Sequence, residues 1–226
     1  MTRVKERLPN IRYINQGHNG WTTVGIANEI ENLGLIKTDV YSVFLGTNDW
    51  WTGMRLGTMG DYQNNTGLKT VYGAYRIIIN KIRKMNPDAK IILITPMQRG
   101  DFVYIADAHN NAYGSYKSKD GQNLSQFADA VKEIGETEHL KVLDLYYKSG
   151  INIKNSVNFK KLKDSISGNY YNIKYPDYIG MPFDPGTDEY PYPTGAINYT
   201  YDGLHPSDKG FQVIADMLIK VLRRSD

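Results

Sequence analysis

The chain has 226 residues, of which 41% are hydrophobic and 23% charged; that is enough to bury one substantial core, and the length favours one domain over two. A net charge of only +3, without long lysine or arginine runs, gives little support to a nucleic-acid or anionic-membrane partner, and none is expected. With no cysteine, disulfides and thiolate metal sites are excluded, while the compartment stays open.

The start, Met1 to Leu8, is charged throughout and lacks the apolar stretch of a signal peptide; no later segment is long enough to span a bilayer. A weak strand is expected at Ile11 to Ile14, followed by a glycine-containing loop, Asn15 to Thr23. Short apolar, β-branched runs predict buried strands at Val40 to Leu45, Ile91 to Thr95 and Val142 to Leu145. Between the first two, Val71, Tyr75, Ile78 and Ile82 recur at helical spacing over Leu68 to Met85, and Asn86-Pro87 stops that helix. Phe127, Val131 and Ile134 form a second stripe, and Phe211, Ile214, Leu218 and Val221 a third after Pro206. Strands alternating with helices imply an α/β layer fold around a largely parallel sheet. Residues 148–201 break the pattern with Tyr, Pro, Gly and Asn, as in Tyr175-Pro-Asp-Tyr-Ile-Gly-Met-Pro-Phe-Asp-Pro-Gly186. So long an irregular stretch reads as a functional insertion or lid, and its tyrosines argue against disorder.

Three segments carry candidate chemistry. The strand at Val40 runs into Gly46-Thr-Asn-Asp49, and ligands of open α/β sheets bind at the carboxyl ends of strands. There a glycine admits close backbone approach, and the Asn48 amide can donate to an oxygen that turns negative during a reaction; the same letters also build an ordinary Asx-type turn. Asp202-Gly-Leu-His205, leading into the last helix, places a carboxylate where it can fix one imidazole tautomer, as a general base requires; the alternative is a surface histidine beside a capping turn. Asn15-Gln-Gly-His-Asn-Gly20 can present backbone N–H groups beside the sheet, or is only a glycine loop.

In this order the three segments resemble the SGNH (GDSL-type) ester hydrolases, over Ile11 to about Leu222 apart from the insertion. The resemblance implies a three-layer α/β/α fold with a mainly parallel, flavodoxin-like sheet. It implies Gly20 and Asn48 as oxyanion donors, His205 as base and Asp202 as its orienting partner, with no metal or other cofactor. The family's first block, Gly-Asp-Ser with the nucleophile, has no counterpart, because the ten residues before Ile11 leave no room for a strand, an elbow and a helix. Lys163-Asp-Ser165-Ile is a decoy, with neither a buried strand before it nor an apolar helix after it.

The expectation is therefore a single domain over 1–226, N-terminally incomplete and lacking the fold's first strand. Met1 reads as an internal or truncated start, with the strand supplied by a longer polypeptide, by another chain or by swapping within an oligomer. Complete, the protein is expected to hydrolyse a small ester or an acetylated carbohydrate through an acyl-enzyme, and this chain alone to be inactive. His18, in the glycine loop, and Trp50 are candidate substrate contacts, the tryptophan as a sugar-stacking face or else as core. The other functional class is a carbohydrate-binding module that keeps the fold without turnover.

Overall fold

The computed structural model describes residues 2–223. Helix α1, Thr2–Arg7, buries Val4, and the chain turns out of it with Ile11 N donating to Leu8 O (3.2 Å). The strand expected at Ile11 to Ile14 does not form. A strand needs a ladder partner; here Arg12 and Tyr13 are exposed, and the segment is followed by side-chain bonds from Gln16, whose Nε2 donates to Gly34 O at 3.0 Å. Helix α2, Thr23–Glu29, starts on the Thr22 hydroxyl, which accepts Gly25 N (2.9 Å). Strand β1, Val40–Phe44, leads through a left-handed Gly46 into α3, Thr47–Trp51, and then α4, Met59–Gln63.

Helix α5, Val71–Met85, begins where Thr70 caps it, with Leu68 left in a preceding 3₁₀ turn, and the expected stripe of Val71, Tyr75, Ile78 and Ile82 is buried. Strand β2, Lys90–Ile94, is followed by a hairpin, β3 (Phe102–Tyr104) and β4 (Asp107–Ala112), that the hydrophobic pattern does not announce. Helix α6, Leu124–Thr137, carries the second stripe and a capping box between Asn123 and Gln126. Strand β5, Lys141–Leu143, is followed by α7, Leu145–Lys148, then by a second hairpin of β6 (Lys160–Lys163) and β7 (Tyr170–Ile173). In the last helix, α8 (Asp208–Arg223), burial falls on Ala215, Leu218 and Ile219, whereas Phe211, expected on the inner stripe, is 50% exposed.

The chain forms two compact units. The first draws on residues up to Met97, on Ser118–Lys148 and on the segment from Met217 onward; the second consists of Gln98–Lys117 and Ser149–Asp216 and takes in most of the Tyr/Pro/Gly-rich stretch. The fold is three-layered α/β/α, on a parallel sheet ordered β1-β2-β5, with Val40 opposite Lys90 and Leu93 opposite Val142. Parallel strands are normally covered on both faces. β2 obeys this, but β1 leaves Val40 37% and Phe44 46% exposed, and its outer edge has no strand partner among the described residues. Beside the start of β1 lies a cavity of about 420 Å³, lined by Leu8, Ile11, Val40, Ile92 and Leu222 among others. No helix among the described residues is long and apolar enough to cross a membrane.

Two carboxylates, one buried and one partly buried, tie the first unit together. Asp49, with no exposed surface, accepts from Thr23 N at 2.8 and 2.9 Å and from the Thr23 hydroxyl at 2.8 Å, which joins the end of β1 to the start of α2. Burial pushes its pKa up, against the pull of those donors. Glu138, just past α6, receives Tyr62 OH and Arg76 Nη1 at 2.8 Å each and pairs with Arg83.

An Asp49→Ala variant leaves the Thr23 N–H buried without its partner and should lose about 1–3 kcal/mol of stability, read as a lower urea midpoint; an unchanged midpoint would refute the tie. For Glu138, burial raises the pKa, but the Arg83 and Tyr62 bonds and the Arg83 and Arg76 charges outweigh it and leave it lowered. The unfolded chain therefore takes up this proton first: the contribution is full above the ordinary value of 4.5 and fades as pH falls through the lowered folded value. Glu138→Gln should lower the melting temperature at neutral pH and shrink the gap to the native chain as the solution is acidified.

Candidate active site

At the carboxyl end of β1, Gly46 adopts φ 112°, and a Cβ there would stand 3.0 Å from Pro96 Cγ, so the turn is open only to glycine. That turn sets Asn48 in the first turn of α3, half-buried. Its Nδ2 donates to Trp21 O at 2.9 Å, which brings Asn48 to the glycine loop. A primary amide has two N–H groups; Trp21 takes one, and no second partner is found among the described residues. Gly20 is exposed, with φ 76° and nothing within 4 Å of where a Cβ would be. Asn48 and Gly20 are thus neighbours, with Asp49 fixing the helix start behind them.

His18 lies exposed in the same loop, its ring stacked on Trp21 at 4.5 Å. Trp50 requires a correction: it has no exposed surface and its Nε1 donates to Gln122 O at 2.9 Å, so the ring serves the core and offers no face to a sugar. Its neighbour Trp51 keeps partial exposure, under the ammonium of Lys119 at 5.4 Å.

Asp202 and His205 belong to the second unit, where the spacing of three residues closes a ring of hydrogen bonds. The buried Asp202 carboxylate accepts Leu204 N (3.0 Å) and His205 N (2.8 Å) at Oδ1, and its Oδ2 stands 2.7 Å from His205 Nδ1. An ionised carboxylate only accepts, so opposite one Nδ1 is the donor of this bond, and on a neutral ring Nε2 then holds the lone pair. The histidine side chain is 57% exposed and the aspartate's 6%, so the imidazole is open and its anchor closed. The turn is braced further: Thr200 Oγ1 donates to Ser156 O (2.8 Å) and accepts Gly203 N (3.1 Å).

Sequence reasoning passed over what surrounds this turn. Arg99, Asp101, Phe102 and Tyr192 are buried or nearly so. Burial pushes the Arg99 guanidinium down to about 10 while the carboxylates of Asp101 and Asp202 hold it up, so it stays charged at neutral pH. The signal was positional, since Arg99-Gly-Asp101 follows the carboxyl end of β2. Ser165 is exposed in the turn between β6 and β7, not on a strand-to-helix elbow.

A possible lipase from Chitinophaga pinensis is 60% identical, with a TM-score of 0.97 over 99% of this chain and 87% of its own. A carbohydrate esterase family 3 structure from Talaromyces cellulolyticus (19% identity, TM-score 0.51, 96% and 76% covered) shares the fold. So does a catalytic mutant of Axe2, an acetylxylan esterase from Geobacillus stearothermophilus (16%, 0.51, 97% and 76%). No curated protein matches. The model of the GDSL-like Lipase/Acylhydrolase family matches residues 1–213, nearly the whole chain, and it is to this family, also called the SGNH hydrolases, that the protein belongs.

Proposed function

We propose that the protein is the larger part of a serine ester hydrolase acting on a small ester, with acetylated carbohydrate as the favoured class. The observation that carries this reading is the Asp202–His205 pair: a buried carboxylate 2.7 Å from Nδ1 of an imidazole that is otherwise open. Held so, Nε2 takes a proton from an attacking hydroxyl and returns it to the leaving alcohol, while Asp202 stabilises the imidazolium between the two steps. In this reading the free N–H of Asn48 and the backbone N–H of Gly20 receive the carbonyl oxygen as it becomes an oxyanion. Water then releases the acid from the acyl-serine. No step calls for a metal.

The serine comes from outside this chain's own sequence, on a strand that pairs with the outer edge of β1. The unpaired edge, the exposed Val40 and Phe44 and the unformed strand at Ile11 to Ile14 support this. The reading that Met1 is an internal start concerns a residue outside those described. The acetyl-ester preference leans on the esterase neighbours, whose likeness is one of fold.

The test is hydrolysis of a chromogenic acetate ester by two proteins: this chain, and the chain extended by the codons upstream in the same reading frame. This chain should not exceed buffer. The extended protein should turn over, and His205→Ala or Asn48→Ala in it should lower turnover by about two orders of magnitude or more with the fold intact. Full activity in either variant removes that residue from the mechanism; sugar affinity without turnover in the extended protein would make it a binding module instead.

A further inference from the structure

Within the second unit, the segment Gly100 to Val103 is sewn to the turn that holds the dyad. Gly100 N donates to Gly203 O at 2.9 Å and Val103 N to Asp202 O at 3.2 Å. The backbones are as close as backbones can be: Gly203 sits at φ 90°, and a Cβ on it would stand 1.8 Å from the Asp101 carbonyl oxygen. Between the two stitches lies Asp101, gripped from several sides. Its Oδ1 accepts Gly114 N (2.9 Å) and Tyr116 OH (2.6 Å), its Oδ2 meets Lys160 Nζ (3.0 Å), and its carbonyl accepts the Tyr192 hydroxyl. Lys160 is itself buried, at 4% exposure, with its ammonium 5.3 Å from the centre of the Tyr178 ring. The next residue, Phe102, sets its ring edge-on to the His205 imidazole, 5.4 Å between centroids and 79° between planes.

A buried ion pair is weak evidence for stability, because desolvation of both charges offsets most of their attraction, and apolar groups of the same shape often do as well. What such a pair adds is a fixed register, since a buried charge displaced from its partner is costly. In an extended segment successive side chains leave on opposite faces. Asp101 can therefore be anchored on one side while Phe102 presses on the imidazole from the other.

We propose that Asp101, with Lys160 as its counter-ion, is a positioning residue for His205: it locks the Gly100–Val103 segment against the Asp202–Gly203 turn, and through Phe102 it holds the imidazole in the plane where Nδ1 meets Asp202. Phe102 is the part that touches the ring. Asp101 acts at one remove and contacts neither the histidine nor a substrate. The inference rests on the reading of His205 as a base, but it concerns the imidazole's orientation, which is measurable with no ester present.

The experiment is long-range ¹H–¹⁵N correlation on the full chain labelled at histidine, which reports the tautomer of His205 from its two nitrogen shifts. The native chain should show the Nδ1–H form almost alone. Asp101→Asn and Phe102→Leu should shift the population toward the Nε2–H form that free imidazole side chains prefer in water, while the backbone amide spectrum stays folded. Tyr116→Phe, which removes one grip and keeps the charge pair, should shift it less. If Asp101→Asn does not fold, Phe102→Leu and Tyr116→Phe decide the matter. A purely structural role would lower the urea midpoint of these variants and leave the tautomer untouched, and that result overturns the proposal. A native chain without the Nδ1–H preference would overturn both the positioning role and the reading of His205 as an oriented base. Retention of the preference in every folded variant would sink the positioning role alone.

Discussion

A carboxylate fully removed from water has to be answered by hydrogen-bond donors, and Asp49 is answered by the first backbone amide and the hydroxyl of α2. This one contact joins the carboxyl end of β1 to a helix that precedes it in sequence by more than a dozen residues. Together with the bond from Asn48 to the Trp21 carbonyl it sets the height of the glycine loop before α2 relative to the sheet. The burial that raises the pKa of Asp49 also makes the contact specific, since no water competes for those donors.

The second unit solves a similar problem with similar means. Asp202 folds back on its own turn, and Asp101 reaches across to Gly114, Tyr116 and Lys160. Aspartate suits all three positions because its short side chain reaches backbone N–H groups nearby with little rotamer entropy to lose. Each loop near the candidate chemistry is thus held by polar bonds from an aspartate, in regions where the sequence offers no regular hydrophobic period. The apolar core of α5, α6 and the sheet provides the burial, and the aspartates determine where the loops stand on it.

The parts of the structure that were readable from sequence are those governed by local periodicity. The stripes of α5 and α6 and the run at β2 announce themselves because each element buries its own apolar face, and the runs at β1 and β5 because their apolar, β-branched residues fit a parallel ladder, although β1 leaves Val40 and Phe44 exposed. Ile11 to Ile14 misled because strand identity belongs to a pair, and no strand among the described residues pairs with it. Trp50 misled because an aromatic next to a turn reads alike whether it faces a ligand or Gln122. The Asp202–His205 bond was legible, being only three residues long, whereas Asp49 with Thr23 and Asp101 with Lys160 span 26 and 59 residues and leave no local trace. The hairpins β3–β4 and β6–β7 were missed for a related reason: β4 and β6 are rich in polar residues, so the two-residue alternation is faint.

The bare outer rim of β1 also bears on how the material behaves in a tube. A row of amide and carbonyl groups that no strand among the described residues pairs, flanked by Val40 and Phe44, is a template on which an extended peptide can add, and neither proline nor lysine within β1 blunts it. The strand is short, at five residues, so recruitment of foreign strands will be modest in dilute solution and will climb with protein concentration and temperature. Self-association of this chain is therefore expected to answer to whatever occupies that rim.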